Sequence, residues 1–184
     1  RTRVTSHSMH RFLAVPLTNQ IIKHLVLEIG KIKNSLPDWA VSWVAPENLH
    51  VTLVFFGWVK EGQIKILKTN IAKAVSDLPA FKITTGKLSV EGRPIWLEVE
   101  NGREELHKIS EALVKRLTIK GSLEEEREFH PHLTLGRVKK RGRTKLPSVS
   151  TIFSWKADRL VLYESRFVHR QRIYKEVHSF PLVD

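Results

Sequence analysis

The chain contains no cysteine, which excludes disulfides, thiolate-held zinc, iron–sulfur clusters and a thiol nucleophile. Acidic residues are scarce beside basic ones: 19 Asp and Glu stand against 31 Lys and Arg, giving a formal charge of +12. That imbalance favours polyanionic partners, nucleic acid ahead of an acidic membrane surface, over a merely solubilising basic coat. Long apolar runs are also missing, and none of the strand-sized stretches would span a bilayer. What remains, 184 residues of which 41% are hydrophobic, suits one domain with a real core.

Against these absences stand two His-x-Thr tripeptides, His50-Val51-Thr52 and His132-Leu133-Thr134, 82 residues apart. Both lie in runs patterned as β-strands, where residues i and i+2 share a face. Each strand therefore buries an aliphatic face (Val51 and Leu53; Leu133 and Leu135) and presents a histidine with a threonine. With 9 His and 11 Thr in the chain, chance supplies about half of one such tripeptide, so a single match carries little. The wider match carries more: both runs read as His-x-Thr-Leu strands closing at a glycine, Gly57 or Gly136.

Hydrophobic periodicity predicts a strand at 10–17, a helix at 19–33, a short strand at 41–44, the first motif strand at 49–56 and a helix at 61–78. Strands at 81–90 and 95–99 follow, and a second half is expected to open at Asn101-Gly102 with a helix at 104–117. The second motif strand, a basic Gly/Pro-rich loop at 139–150, and strands at 153–164 and 172–180 complete the order. This order is α+β with antiparallel pairing expected, and the matching motif and element order of the halves point to a bilobal, pseudo-twofold domain. Residues 1–8 are expected to be a leader outside the fold, with Met9 as the natural start and 9–184 as the domain.

The motifs and their flanks resemble the two-histidine (2H) phosphoesterase superfamily, in particular its LigT-like RNA 2′,3′-cyclic phosphodiesterases. The resemblance rests on the opening Met9 to Val15, the stretch Trp43 to Gly57, the stretch Phe129 to Val138, and Leu162-Tyr163-Glu164-Ser165 followed by Tyr174. It implies a bilobal α+β fold in which two mainly antiparallel sheets line a central cleft with helices outside, and metal-independent opening of an RNA 2′,3′-cyclic phosphate to a 2′-phosphomonoester, in some members with reversible 2′-5′ RNA ligation. It also implies His50 as proton donor to the leaving oxygen and His132 as general base; the residues alone leave these two roles interchangeable. One departure is the tail, His169-Arg170-Gln171-Arg172-Ile173-Tyr174, where the family often has a glycine a few residues before the tyrosine.

The chemistry suits these residue types. Imidazole, with an ordinary pKa near 6.5, serves as acid or base near neutrality. Hydroxyls of Thr52 and Thr134 are expected on the phosphate oxygens. Arg137 and, more weakly, Arg11 are candidates to balance phosphate charge, and Phe129 and Phe56 to stack on a terminal base. The basic run from Arg137 to Lys145 would guide a phosphate backbone. His130-Pro131-His132 invites a metal, but no third ligand of matching kind is apparent, so neither metal nor cofactor is expected. The expected partner is RNA with cyclic phosphate ends, tRNA fragments among them, handled by a cytoplasmic monomer without a membrane. Two other readings share the residues: an RNA-end binding module with little catalysis, and a phosphodiesterase for small cyclic nucleotides.

Overall fold

The computed structural model describes residues 8–116, 129–169 and 171–184. The expected leader lies outside the described residues apart from Ser8, which opens the first strand. Among the described residues, nine strands and three α-helices run in the order β1 (Ser8–Pro16), α1 (Asn19–Ser35), β2 (Ala40–Trp43), β3 (His50–Lys60), α2 (Ile64–Val75), β4 (Phe81–Val90), β5 (Pro94–Val99), α3 (Arg103–Arg116), β6 (His132–Lys140), β7 (Ser154–Ala157), β8 (Arg159–Val168) and β9 (Gln171–Pro181).

The strands form one antiparallel path, β7-β4-β5-β6-β3-β1-β8-β9, with β2 beside the far end of β6. Two half-sheets are legible in it: β3-β1-β8-β9 and β6-β5-β4-β7. They meet where Val51 pairs with Leu133. The α+β, two-sheet expectation is met, with the sheets continuous at that pair. The division of the chain differs from the expected one. β4 and β5 already belong to the second lobe, so it begins near Phe81 rather than at Asn101. The predicted strand at 153–164 is two strands: β7 pairs with β4 in one lobe and β8 with β1 in the other. The chain changes lobes at Asp158, whose carbonyl accepts from the Leu182 amide at 2.8 Å.

Helix α1 starts where Thr18 Oγ1 accepts from the Ile21 amide, an N-cap of the ordinary kind. Its Leu25, Ile29 and Ile32 stripe is buried in the core. The core joins that stripe to Leu67 and Ile71 of α2, Leu106 and Leu113 of α3, and Val51, Leu53, Leu133 and Leu135 of the motif strands. The aliphatic faces of both motif strands are thus covered, and their histidine faces look away.

Neither motif strand ends at its glycine. β3 runs to Lys60 and β6 to Lys140. Gly57 takes φ of 65°, a backbone state that glycine reaches at no steric cost, at a β-bulge between β1 and β3. Gly136 is needed for a different reason: a Cβ there would come within 2.9 Å of Val41 Cγ1 and 3.2 Å of the Ser42 carbonyl on β2.

In the β8–β9 turn His169 sits at φ 49°, the left-handed region that a β-carbon disfavours. This is the segment where the expected glycine is absent. His169→Gly is predicted to stabilise the fold by about 1 kcal/mol, measured by urea unfolding; an unchanged or lower midpoint would contradict the strain.

Candidate active site

Pairing of Val51 with Leu133 fixes the geometry of their neighbours. Continuing that antiparallel register sets His50 across from Thr134 and Thr52 across from His132, all four on the face opposite the core. The histidines occupy a diagonal, where residues lie roughly 7–8 Å apart, with a threonine beside each. That spacing leaves room for one phosphate between two rings.

Both rings are held the same way. His50 Nδ1 lies 2.6 Å from the Asn48 carbonyl, and His132 Nδ1 lies 2.6 Å from the His130 carbonyl. A carbonyl only accepts, so each Nδ1 carries the proton and each Nε2 keeps its lone pair for the cleft. His50 Nε2 is 2.8 Å from Thr52 Oγ1, which donates to it while the ring is neutral. Asn48 is itself clamped: its Nδ2 donates to the Arg172 carbonyl at 2.8 Å and its Oδ1 accepts from the Tyr174 amide at 3.3 Å. β9 is thereby tied to the short turn 46–48 that carries the His50 anchor.

An aromatic wall surrounds His50. Phe12 stands 4.9 Å away between ring centroids, Tyr174 edge-on at 5.2 Å and Tyr163 at 6.2 Å. Trp96 lies against His132 at 4.8 Å. Burial is the main reason that His50 is pushed down to about 4; the Asn48 carbonyl opposes this, and the charge of His132 adds to it. His132 is also lowered, first by burial, with the His130 carbonyl opposing and the charges of His130 and Arg137 assisting. In the free protein both imidazoles are therefore neutral at pH 7.

The remaining candidates separate cleanly. Arg137 is exposed and close enough to depress His132. It reaches the site because β6 skips a residue: Ile95 pairs with Gly136 and Trp96 with Thr134, leaving Leu135 as the extra residue of a bulge. The equivalent irregularity in β3 pairs Leu13 with Val54 and Ala14 with Thr52, so Leu53 is extra and Phe55 rather than Phe56 turns to the cleft. Phe56 is fully buried in the core, which corrects its expected role in base stacking. Phe129 is corrected too: half-buried, it packs on the core and meets the His107 ring edge-on at 5.2 Å.

Arg11 is not a phosphate ligand. Only 1% exposed, it lies on the other face of β1 from Phe12. There it donates to the Val59 carbonyl at 2.6 Å, to Glu164 at 2.7 Å and to Glu61 at 3.2 Å. Glu164 feels burial most, which raises it, but Arg166 and Arg11 together outweigh that and hold it below its ordinary value.

The basic loop is organised rather than loose. Asp38 Oδ2 accepts from the amides of Arg143 and Thr144, Trp39 Nε1 donates to the Thr144 carbonyl at 2.9 Å, and the Arg141 guanidinium lies 5.1 Å over the Trp39 ring. Among the described residues no three His, Asp or Glu side chains gather as metal ligands. The His130 ring receives the Arg103 guanidinium at 3.4 Å, a poor neighbour for a metal cation. Among the described residues, no helix is long and apolar enough to cross a membrane.

Sequence reasoning did not assign roles to Asn48, Trp96, Tyr163, Tyr174 or Phe12. Trp96 had a signal: it is a large aromatic on the polar face of a strand whose Ile95, Leu97 and Val99 are core. For Asn48 no local pattern exists, because its partners are more than 120 residues away along the chain.

A family model of the 2′-5′ RNA ligase superfamily matches residues 23–166. The chain belongs to that superfamily. Similar curated proteins include the RNA 2′,3′-cyclic phosphodiesterases of Methanothermobacter thermautotrophicus (31% identical, covering 93% of this chain and 97% of the relative) and Bacillus subtilis (30%, 94% and 96%). Among solved structures, E. coli LigT in its apo form superposes with a TM-score of 0.81 at 25% identity, covering 97% of this chain and all of the other. TT0787 of Thermus thermophilus gives 0.82 at 22%, covering 95% and 98%, a likeness of fold. The superfamily's α+β architecture with a curled, mainly antiparallel sheet is the one seen here.

Removing one partner of a buried ion pair leaves an uncompensated charge and costs about 3–5 kcal/mol. Arg11→Met, which takes the buried cation from Glu164 and leaves it only the part-exposed Arg166, is predicted to lose stability toward the lower end of that scale, about 3 kcal/mol or less, in urea unfolding. Turnover per folded molecule should stay near wild type, since Arg11 faces away from the histidines; a selective loss of turnover would restore Arg11 to the site.

Proposed function

We propose that the chain hydrolyses the 2′,3′-cyclic phosphate at the end of RNA to a 2′-phosphomonoester, using His50 and His132 as an acid–base pair. The observation carrying this reading is the pair of imidazoles on adjacent strands, each with Nδ1 fixed to a carbonyl and Nε2 turned to the same face. The family and the names of the relatives support the same substrate.

With the cyclic phosphate between the rings, His132 Nε2 takes a proton from water as its oxygen bonds to phosphorus. The P–O3′ bond breaks, and the departing 3′ oxygen takes the proton of His50 Nε2. The 2′ ester bond survives, giving the 2′-phosphate and a 3′ hydroxyl. A ribose hydroxyl at an RNA 5′ end, replacing water, would form a 2′-5′ linkage by the same bond changes. Thr52 has two states in this scheme. While His50 is neutral the hydroxyl donates to Nε2; once His50 is protonated its Nε2–H is directed to the 3′ oxygen, and the Thr52 hydroxyl is released to donate to a phosphate oxygen. Thr134 serves from the other strand, and Arg137 balances the anion. In the bound state the phosphate charge supplies the stabilisation of imidazolium that burial alone withholds.

All the groups come from one chain, which fits a monomer. We further propose that it works in the cytoplasm on RNA ends, tRNA fragments among them. A binding module without catalysis would not need two rings each anchored through Nδ1 with Nε2 turned to the same face.

The direct test is incubation with a nucleoside 2′,3′-cyclic phosphate in EDTA, with the product isomer identified by phosphorus NMR. A 2′-phosphate is expected; no turnover, or turnover only with added metal, would count against the proposal. His50→Ala and His132→Ala are each expected to cut kcat by at least ~10²–10⁴, and Thr52→Ala and Thr134→Ala by ~10²–10³, with circular dichroism unchanged. Near wild-type rates in either histidine variant would refute the pairing.

The pH profile has a definite sign. In the free enzyme the donor His50 must be protonated, but it titrates at about 4, and the acceptor His132 must be neutral although it too titrates below its ordinary value. The maximum of kcat/KM should therefore lie on the acid side of pH 6.5. The alkaline limb of kcat should sit higher, because bound phosphate raises His50. A kcat/KM optimum at about pH 8 would sink this account.

A further inference from the structure

Beyond the histidines, the concave face of β3 and β1 carries aromatic rings that the proposed chemistry does not use. Phe12 of the His50 wall is 5.9 Å from Phe55, Phe55 is 6.4 Å from His10, and His10 meets Trp58 edge-on at 5.8 Å. The rings form a continuous row leading away from the active site. They are increasingly open to solvent: Phe12 is buried, Phe55 is 46% exposed and Trp58 62%. Next in the same sheet, Phe167 is 68% exposed, with the Arg172 guanidinium 5.0 Å over its ring. Two bulges in β3, at Leu53 and near Gly57, are what bring Phe55 and Trp58 to this face together. Lys60, two residues past Trp58, is exposed as well.

We propose that His10, Phe55 and Trp58 form a ledge on which the nucleobases immediately upstream of the cyclic phosphate stack, so that single-stranded RNA is preferred over a mononucleotide. The inference rests on the function proposed above for His50 and His132, and extends it to the substrate class. Its occupant follows from three features. The row is continuous with the site that holds the RNA end. Flat rings in a row, here flanked by Lys60 and the Arg172 guanidinium, are how single strands are gripped without sequence preference, each base offering a π face. Trp58 lies roughly 15–20 Å along β3 from Thr52, so a mononucleotide at the histidines does not reach it and a strand of several nucleotides does.

The test compares wild type, Trp58→Ala and Trp58→Phe on adenosine 2′,3′-cyclic phosphate and on a single-stranded RNA oligonucleotide with the same cyclic end. Trp58→Ala should lower kcat/KM for the oligonucleotide about tenfold, leave the mononucleotide unchanged, and be largely rescued by Trp58→Phe. Equal effects on both substrates, or none, would overturn the ledge. Fluorescence anisotropy with an oligonucleotide ending in a 3′-phosphate reads the ledge without turnover. Binding weakened by Trp58→Ala in a protein with no phosphodiesterase activity would uphold the ledge while removing the proposed reaction. A wild-type dimer in sedimentation that Trp58→Ala dissolves, with RNA affinity unchanged, would assign the patch to a second copy and overturn it.

Discussion

The backbone pairing of Val51 with Leu133 is the constraint on which the site depends. It joins the two half-sheets, and it sits between the histidine and threonine of each motif. Because both residues are buried in the core, their four neighbours are driven to the opposite face, and the cleft follows from the pleat of two strands. A slip of one residue in either strand would turn its histidine into the core. The covered aliphatic face therefore sets the register that aligns the chemistry.

Around that pair, the structure spends burial on reactivity. His50 is enclosed by Phe12, Tyr163 and Tyr174, and this enclosure lowers its affinity for a proton in the free protein. The same low-dielectric surroundings strengthen its interaction with an anion when one arrives. Backbone carbonyls at Asn48 and His130 fix both tautomers without introducing a second charge. Asn48 then ties this arrangement to β9, the last strand of the chain, so the C-terminal hairpin helps to hold the first motif. Arg11 and Glu164 form a separate buried ion pair behind the site, giving structural support from the opposite face of β1.

The bulges decide which side chains join the histidines. Strict alternation from His50 selects Phe56, and strict alternation from His132 sends Arg137 toward the core. One extra residue in each motif strand, Leu53 and Leu135, reverses both outcomes. The two motifs are thus alike beyond their tripeptides: each is followed by a bulge that returns its fifth residue after histidine, Phe55 or Arg137, to the cleft. Further along β3 the irregularity near Gly57 repeats the effect and exposes Trp58. In this fold the departures from regular pairing decide which side chains share the histidine face.

Much of this was legible in the linear chain. The spacing of His50 with Thr52 and of His132 with Thr134, the alternation that buries Val51 and Leu133, and the helical stripe of Leu25, Ile29 and Ile32 are local properties. Side-chain period and apolar burial act over a few residues, so these needed no tertiary information. The mistaken candidates fail for a common reason. Arg11 is engaged by Glu164 from another strand, Phe129 by α3, and Phe56 is displaced by a bulge whose partner strand is elsewhere in the chain. The division of 153–164 between lobes and the tie from Asn48 to β9 are likewise set by contacts distant in sequence. The sequence by itself determined the two His-x-Thr pairs and the face each pair shares; only the tertiary structure decided their neighbours, their protonation and the residues re-aimed by bulges, because pairing register and burial are properties of segments brought together by folding.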